Sequence, residues 1–144
     1  MSLISALEGT WSGLGQMFDA KTNEVLDTIQ VRITLGKVSD TELAGEKRMI
    51  FYKDKNQNYD TNLKLEVVNE IEMTFSPPWA ETPIIFLYME SPVSFQGSYD
   101  SDLLGTGTKN IDNNFIVDKE WQISIEAKSS EKHVIFEYVL EKED

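Results

Sequence analysis

The sequence predicts one all-β domain over residues 1–144, an antiparallel up-and-down barrel of about eight to ten strands. Apolar and polar residues alternate along most of the chain, which is the period of half-buried strands. Helical spacing is confined to residues 1–6, for which we expect one short turn or a remnant of cloning. Closing the strands into a barrel buries their apolar face and removes both sheet edges. A two-sheet sandwich is the main alternative.

Composition and charge exclude several classes of partner. Twenty-five acidic residues outnumber thirteen basic ones, for a net charge of −12. Such a chain repels phosphate, so we expect neither nucleic acid nor an anionic membrane surface as a partner. No run approaches ~18 apolar residues, so no membrane span is expected. There are no cysteines, and the first residues do not resemble a signal peptide. We therefore expect a cytoplasmic location, with a removed signal peptide as the alternative.

The C-terminal hairpin shows the alternation most clearly. A tight turn at Ser129-Ser130 would pair Ile125 with Val134 and place His133 opposite Glu126. One face of this hairpin is then apolar and the other mostly polar, as a half-buried pair of strands requires.

The stretch LKLEVVNEIEMTF, residues 63–75, leaves two alternatives open. A three-residue loop from Val68 to Glu70 would pair Val67 with Ile71 and Leu65 with Met73. One long bent strand fits the pattern equally well.

The opening stretch LEGTWSGLG places a tryptophan among three glycines. Its Gly9-Thr10-Trp11 resembles the Gly-x-Trp entry of the calycin barrels, the superfamily of lipocalins and fatty-acid-binding proteins. The resemblance implies that Trp11 plugs the barrel floor and that Gly9 lets the first strand bend around it. It also implies a lipocalin-like, non-catalytic protein that holds a small hydrophobic or amphipathic ligand. Lipocalins cover this tryptophan with an arginine, whereas the last strand here offers Lys132 and Lys142.

Large side chains recur on the face expected to point into the barrel. The predicted ligand-binding residues are Phe51, Met73, Phe95, Tyr99, Trp121, Phe136 and Tyr138. Tyrosine hydroxyls inside could orient the polar end of a ligand. A barrel interior filled by side chains, in a structural or interaction protein, is the alternative. We expect no Asp or Glu to point clearly inward, which disfavours a second alternative, a calycin-like isomerase or lyase.

No cofactor or metal is expected. His133 is the only histidine, and nitrobindins, whose opening resembles Gly9 to Gly13, bind haem through a histidine near the C-terminus. Haem binding is therefore an alternative, but the predicted hairpin places His133 on the outer face. The stretch DKNQNYDTN resembles a calcium loop, yet Tyr59 and Leu65 stand where such a loop needs glycine and glutamate.

The stretch TPIIFLYMESP is apolar on both faces from Ile84 to Met89. A barrel strand needs only one apolar face, so the other should be covered. Candidates are the loop of residues 76–81 with Trp79, the N-terminal turn, or a second subunit. We expect a homodimer contact through the Ile84–Met89 strand or the Trp79 loop.

Overall fold

A computed structural model of the chain describes residues 2–102 and 104–143, leaving Met1, Leu103 and Asp144 outside the description. One five-residue helix is followed by ten strands and a short 3-10 turn at Lys55–Gln57. The elements are α1 (Leu3–Leu7), β1 (Gly9–Asp19), β2 (Val25–Ser39), β3 (Glu42–Phe51), β4 (Tyr59–Val67), β5 (Glu72–Phe75), β6 (Ile84–Glu90), β7 (Val93–Ser101), β8 (Thr108–Val117), β9 (Glu120–Lys128) and β10 (His133–Lys142).

The ten strands close into an antiparallel barrel, which confirms the predicted fold and excludes the sandwich. Each strand pairs with its neighbours in sequence, and β1 closes the ring by pairing with β10. In such a meander the connections alternate between the two ends of the barrel. We call the end that holds α1 the floor and the opposite end, with the β1–β2 and β3–β4 connections, the mouth. The described helix is too short to cross a membrane.

The C-terminal hairpin forms, but its predicted register is wrong by two residues. Val134 lies opposite Ala127 rather than Ile125, and His133 lies opposite Lys128. The turn is longer than predicted because Ser129 closes it, with its hydroxyl accepting from the Lys132 amide at 3.0 Å. A shift of two residues preserves which face each side chain occupies. The predicted inner and outer faces of this hairpin therefore hold.

Residues 63–75 form a hairpin and not one bent strand, although the predicted three-residue loop is also wrong. Val67 pairs with Met73, and Leu65 pairs with Phe75. Asn69 stabilises the wider loop, because its side-chain oxygen accepts from the amides of Ile71 and Glu72 at 2.9 Å. Ile71 is consequently exposed rather than paired.

The barrel wall is thinnest between β4 and β5. These strands share three residue pairs, whereas β3 and β4 share eight. The β5–β6 connection, residues 76–83, lies beyond the end of β5 and contains Pro77 and Pro78, which cannot donate to a ladder. The first half of β4 thus has a strand partner on only one side among the described residues.

The outer face of β6 stays exposed. Ile85, Leu87 and Met89 are 58%, 52% and 58% accessible. Trp79 instead approaches Tyr99, with ring centroids 6.0 Å apart, and α1 packs into the core. Neither predicted intrachain cover is present, and the homodimer contact stays a prediction.

Candidate ligand-binding site

The floor of the barrel is built around Trp11. Its side chain is fully buried, and its indole N–H donates to the Leu7 carbonyl of α1 at 3.0 Å. The Trp121 ring meets it edge-on, with centroids 5.5 Å apart. Lys142 Nζ lies 5.3 Å from the Trp11 ring centroid, on the last strand, where lipocalins would place an arginine. The floor is therefore apolar and closed by α1.

The predicted ligand-binding side chains all point inward, but they occupy different levels. Met73, Phe95, Trp121 and Tyr138 line an internal cavity of about 60 Å³. Phe51 and Phe136 pack against each other edge-to-face, 6.3 Å apart, and do not line it. Tyr99 contributes its hydroxyl to the polar cluster described below. Their role in binding stays a prediction.

The cavity is lined by ten apolar and four polar side chains. The apolar side chains are Ile33, Leu35, Leu63, Leu65, Met73, Phe75, Phe86, Phe95, Trp121 and Ile123. The polar side chains are Lys47, Asp112, Asn114 and Tyr138. Three of these polar residues, Lys47, Asp112 and Asn114, were missed by the sequence reasoning.

Hydrogen bonds link the polar side chains into two groups. Lys47 Nζ donates to the Tyr138 hydroxyl at 2.8 Å. Asp112 accepts from the Tyr99 hydroxyl at 2.9 Å through Oδ2 and from the Asn114 amide at 2.8 Å through Oδ1. The Trp121 indole N–H in turn donates to Asn114 Oδ1 at 2.9 Å. This second group connects the cavity to the aromatic floor.

The site combines an inward lysine and an inward carboxyl group, which interact electrostatically, with the hydroxyls of Tyr99 and Tyr138. Burial by itself lowers the pKa of Lys47, but the neighbouring Tyr138, Tyr59 and Asp112 raise that pKa above its ordinary value. Burial raises the pKa of Asp112, against the opposing effects of Lys47, Tyr99 and Asn114. Burial also raises the pKa of Tyr138 to about 12, although Lys47 opposes it. Because Asp112 accepts a hydrogen bond on each oxygen, as a carboxylate does, we treat it as the carboxylate and Lys47 as the ammonium ion.

The expectation that no acidic residue points inward is wrong, and strand β8 explains why. Its alternation is inverted: Thr108, Asn110 and Asn114 are buried together with the inward Asp112. Its apolar Ile111, Phe115 and Val117 face outward and are 46%, 37% and 44% exposed. The usual rule that apolar residues point inward therefore predicts the opposite orientation for the side chains of this strand. The signal was the polar run of alternate residues in TKNIDNNFIV.

A second inward carboxylate, Asp27, closes the mouth end of β2 and is 1% exposed. Oδ1 accepts from the amides of Thr28 at 2.7 Å and Lys53 at 2.8 Å, and Oδ2 accepts from the Asp54 amide at 3.0 Å. Burial raises the pKa of Asp27, but these backbone hydrogen bonds outweigh it and hold the pKa below the ordinary value. Asp27 is therefore an anchor for the β3–β4 connection.

A larger but open groove of about 680 Å³ lies outside the barrel, across β8, β9, β10 and β1. Outward side chains such as Leu14, Phe115 and Val139 line it. The inward Lys47–Asp112 pair does not reach it. We place the candidate site inside the barrel, where apolar walls and polar groups converge.

The alternative metal and haem positions lie elsewhere. His133 is on the outer face, with Nε2 3.2 Å from the Glu126 carboxylate, as the predicted face requires. Asp54 caps the short 3-10 turn by accepting from the Asn56 amide at 3.2 Å. Across residues 2–102 and 104–143, no cluster of three or more His, Cys, Asp or Glu is arranged to hold a metal ion.

Comparison with solved structures places the chain among ten-strand antiparallel barrels. Rv2717c from M. tuberculosis is 13% identical with a TM-score of 0.66, covering 100% of this chain and 99% of that one. The redesigned barrel mFAP1, solved bound to DFHBI, is 12% identical with a TM-score of 0.51, covering 99% and 100%. A de novo designed fluorescence-activating barrel is 12% identical with a TM-score of 0.50, covering 99% and 100%. No protein-family model and no curated protein matches the sequence.

Proposed function

We propose that this protein binds a small hydrophobic or amphipathic molecule inside its barrel without transforming it. The observation that carries the proposal is the internal cavity, whose walls are mostly apolar and include four hydrogen-bonding side chains. Such a combination is typical of small-molecule sites, where apolar walls supply affinity and a few polar groups orient the ligand. The Gly9-Thr10-Trp11 opening and the closed barrel also support kinship with the calycins.

The size of the cavity implies that its wall moves when a ligand binds. An engineered cavity of about 150 Å³ holds one benzene ring, whereas this cavity measures about 60 Å³. Leu65 on β4 and Phe75 on β5 line it and pair with each other, and Leu63 lines it just beyond the three paired residues of β4. These two strands share fewer residue pairs than any other neighbouring strands of the barrel, so we expect the wall to open here.

Binding is favoured over catalysis by the state of the titratable groups. A protonated Lys47 is a poor nucleophile, since only the neutral amine attacks a carbonyl. Hydrogen bonds from Tyr99 and Asn114 hold Asp112 in place, one on each oxygen, and oppose the increase in basicity that burial causes. The designed barrel mFAP1, whose fold this chain resembles, was solved with the dye DFHBI bound.

The experiment that tests this proposal is a titration of the native protein with an anilinonaphthalene dye. We expect saturable fluorescence at one dye per chain. The variant Leu63→Phe fills the cavity and should abolish the signal. Leu14→Phe adds bulk to the outer groove and serves as the matched control, since Leu14 is 58% exposed. Thermal melting of both variants shows whether they fold.

Two outcomes contradict the proposal. The first is a native protein that leaves the dye dark at all concentrations. The second is a signal lost in Leu14→Phe and retained in a folded Leu63→Phe, which would place binding in the outer groove.

A further inference from the structure

We infer that the ligand is an uncharged molecule that presents a carbonyl-type oxygen to Lys47 and Tyr138. This inference rests on the proposed function and adds the chemical class of the ligand. It depends on two observations: the hydrogen-bond donors of Lys47 and Tyr138 that have no acceptor among the described residues, and the opposite charges of Lys47 and Asp112 at the same cavity.

Lys47 and Tyr138 have N–H and O–H donors in this site that are not bonded to an acceptor among the described residues. An ammonium group has three N–H donors, and Lys47 Nζ uses one of them, on the Tyr138 hydroxyl. That hydroxyl accepts the bond, so its own proton is available. Within residues 2–102 and 104–143, no protein acceptor is bonded to either remaining Lys47 N–H or to the Tyr138 proton. A ligand that completes the site must therefore supply an acceptor.

The side-chain oxygens of Asp112 and Asn114 each already accept a hydrogen bond. Asp112 accepts from Tyr99 and from Asn114, one on each oxygen. Asn114 Oδ1 accepts from the Trp121 indole. A ligand donor would add a second hydrogen bond to an atom that already has one, whereas a ligand acceptor would be the first partner of the remaining Lys47 and Tyr138 donors.

Charge then decides between a neutral and an anionic acceptor. Lys47 and Asp112 line the same cavity of about 60 Å³, so the buried ammonium already has a counter-ion. A ligand carboxylate would bring a second negative charge beside Asp112, in surroundings of low polarity where like charges repel strongly. A ketone, lactone or amide oxygen accepts the same hydrogen bonds at no such cost.

The rest of the cavity selects an apolar body for this ligand. Leu63, Met73 and Phe75 face the cavity from the thin part of the wall, and Phe86 and Phe95 face it from the next two strands. These side chains offer no polar contact. The ligand is thus hydrophobic apart from its carbonyl group.

Three molecules of similar size test the inference: acetophenone, benzoate and ethylbenzene. Each is titrated into the native protein by calorimetry and by amide chemical shifts. We expect acetophenone to bind about tenfold more tightly than either of the others, as a hydrogen bond to a charged donor provides. Benzoate binding most tightly, or acetophenone and ethylbenzene binding equally, would overturn the inference and leave the proposed function standing. If none of the three binds and the dye also fails, the proposed function itself is wrong.

Three variants show whether the named groups cause the preference. Lys47→Met and Tyr138→Phe should each reduce the advantage of acetophenone over ethylbenzene, whereas Lys109→Met, on the outer face of β8, should not. Asp112→Asn removes the counter-ion and keeps the shape, so benzoate should overtake acetophenone; Asp100→Asn is its exposed control. An unchanged order of affinities in a folded Asp112→Asn would refute the argument from charge.

Discussion

The floor of the barrel and the cavity above it differ in how their polar groups are satisfied. At the floor, the one polar atom of the Trp11 side chain donates to the Leu7 carbonyl, and the surrounding side chains are apolar. In the cavity, Lys47 and Tyr138 keep donors without a protein acceptor among the described residues. A satisfied polar group stabilises the fold, whereas an unsatisfied one costs stability and creates a place for a ligand.

The floor also has more extensive strand pairing than the wall of the cavity. β1 has nine pairs with β10 and ten with β2, so the strand that carries Trp11 is held along its whole length. β4 and β5, which flank the cavity, share three. The barrel thus combines an extensively paired floor with a weakly paired wall. Substitutions at the floor should therefore reduce the free energy of unfolding more than substitutions elsewhere.

Removal of the floor tryptophan should have the largest effect. Trp11→Ala leaves a void beneath α1, and we expect the free energy of unfolding to fall by about 3–5 kcal/mol. Urea denaturation measures this loss. Trp79→Ala is the matched control, because Trp79 is 49% exposed, and it should change stability by less than about 1 kcal/mol. Equal losses in the two variants would show that Trp11 is no plug.

The contributions of the two inward carboxylates, Asp27 and Asp112, to the free energy of unfolding should change with pH in opposite directions. Asp27 has a lowered pKa, so its contribution is present above its ordinary pKa of 3.8 and is lost as pH falls through the lower, folded value. Asp27→Asn should cost about 1.5–3 kcal/mol at pH 7, and this cost should shrink in acid.

Asp112 has a raised pKa, so the folded state binds its proton more tightly than the unfolded state does. The stability of the native protein relative to Asp112→Asn should therefore decrease as pH rises from 3.8 through the higher, folded value. Urea denaturation of the native protein and both variants between about pH 3 and pH 7 measures the two slopes. Slopes of the same sign would contradict the assignment.

Replacement of Gly9 tests the bend that admits Trp11. Gly9 has φ of +129°, and a Cβ there would meet the Lys142 side chain at 2.7 Å. We expect Gly9→Val to cost about 1–3 kcal/mol of unfolding free energy, since a β-branched residue is strained at this φ. Gly36→Val is the comparison, because a Cβ at Gly36 would lie 3.7 Å from its nearest neighbour. Thermal melts of equal midpoint would show that the bend needs no glycine.

Replacement of Lys142, whose ammonium group lies near the Trp11 ring, should have the smallest effect on the free energy of unfolding. Lys142→Met removes the ammonium that lies 5.3 Å from the Trp11 ring centroid but keeps most of the side-chain length. We expect a loss of about 0.5–1 kcal/mol, the range of a partly exposed cation–π contact. Lys128→Met, at the mouth end of β9, is the control. A neutral or stabilising Lys142→Met would show that Lys142 does not act as the lipocalin arginine does.

The sequence by itself determined the closed meander and most of its inner face. Alternation has a period of two, so the register errors of two residues in the hairpins at Val67–Met73 and Ala127–Val134 left the predicted faces intact. The expectation that no acidic residue points inward failed at β8, because this strand exposes Ile111 and Phe115 and turns polar residues inward.

Only the tertiary structure decided that a charged pair lies inside. Lys47 belongs to β3 and Asp112 to β8, strands that are not neighbours in the ring, and closure of the barrel brings both side chains to one cavity. A lysine or an aspartate read along its own strand is indistinguishable from a solvated one. Each charge is offset by the other across the barrel, Tyr138 accepts from Lys47, and Tyr99 and Asn114 donate to Asp112; no local pattern encodes that arrangement.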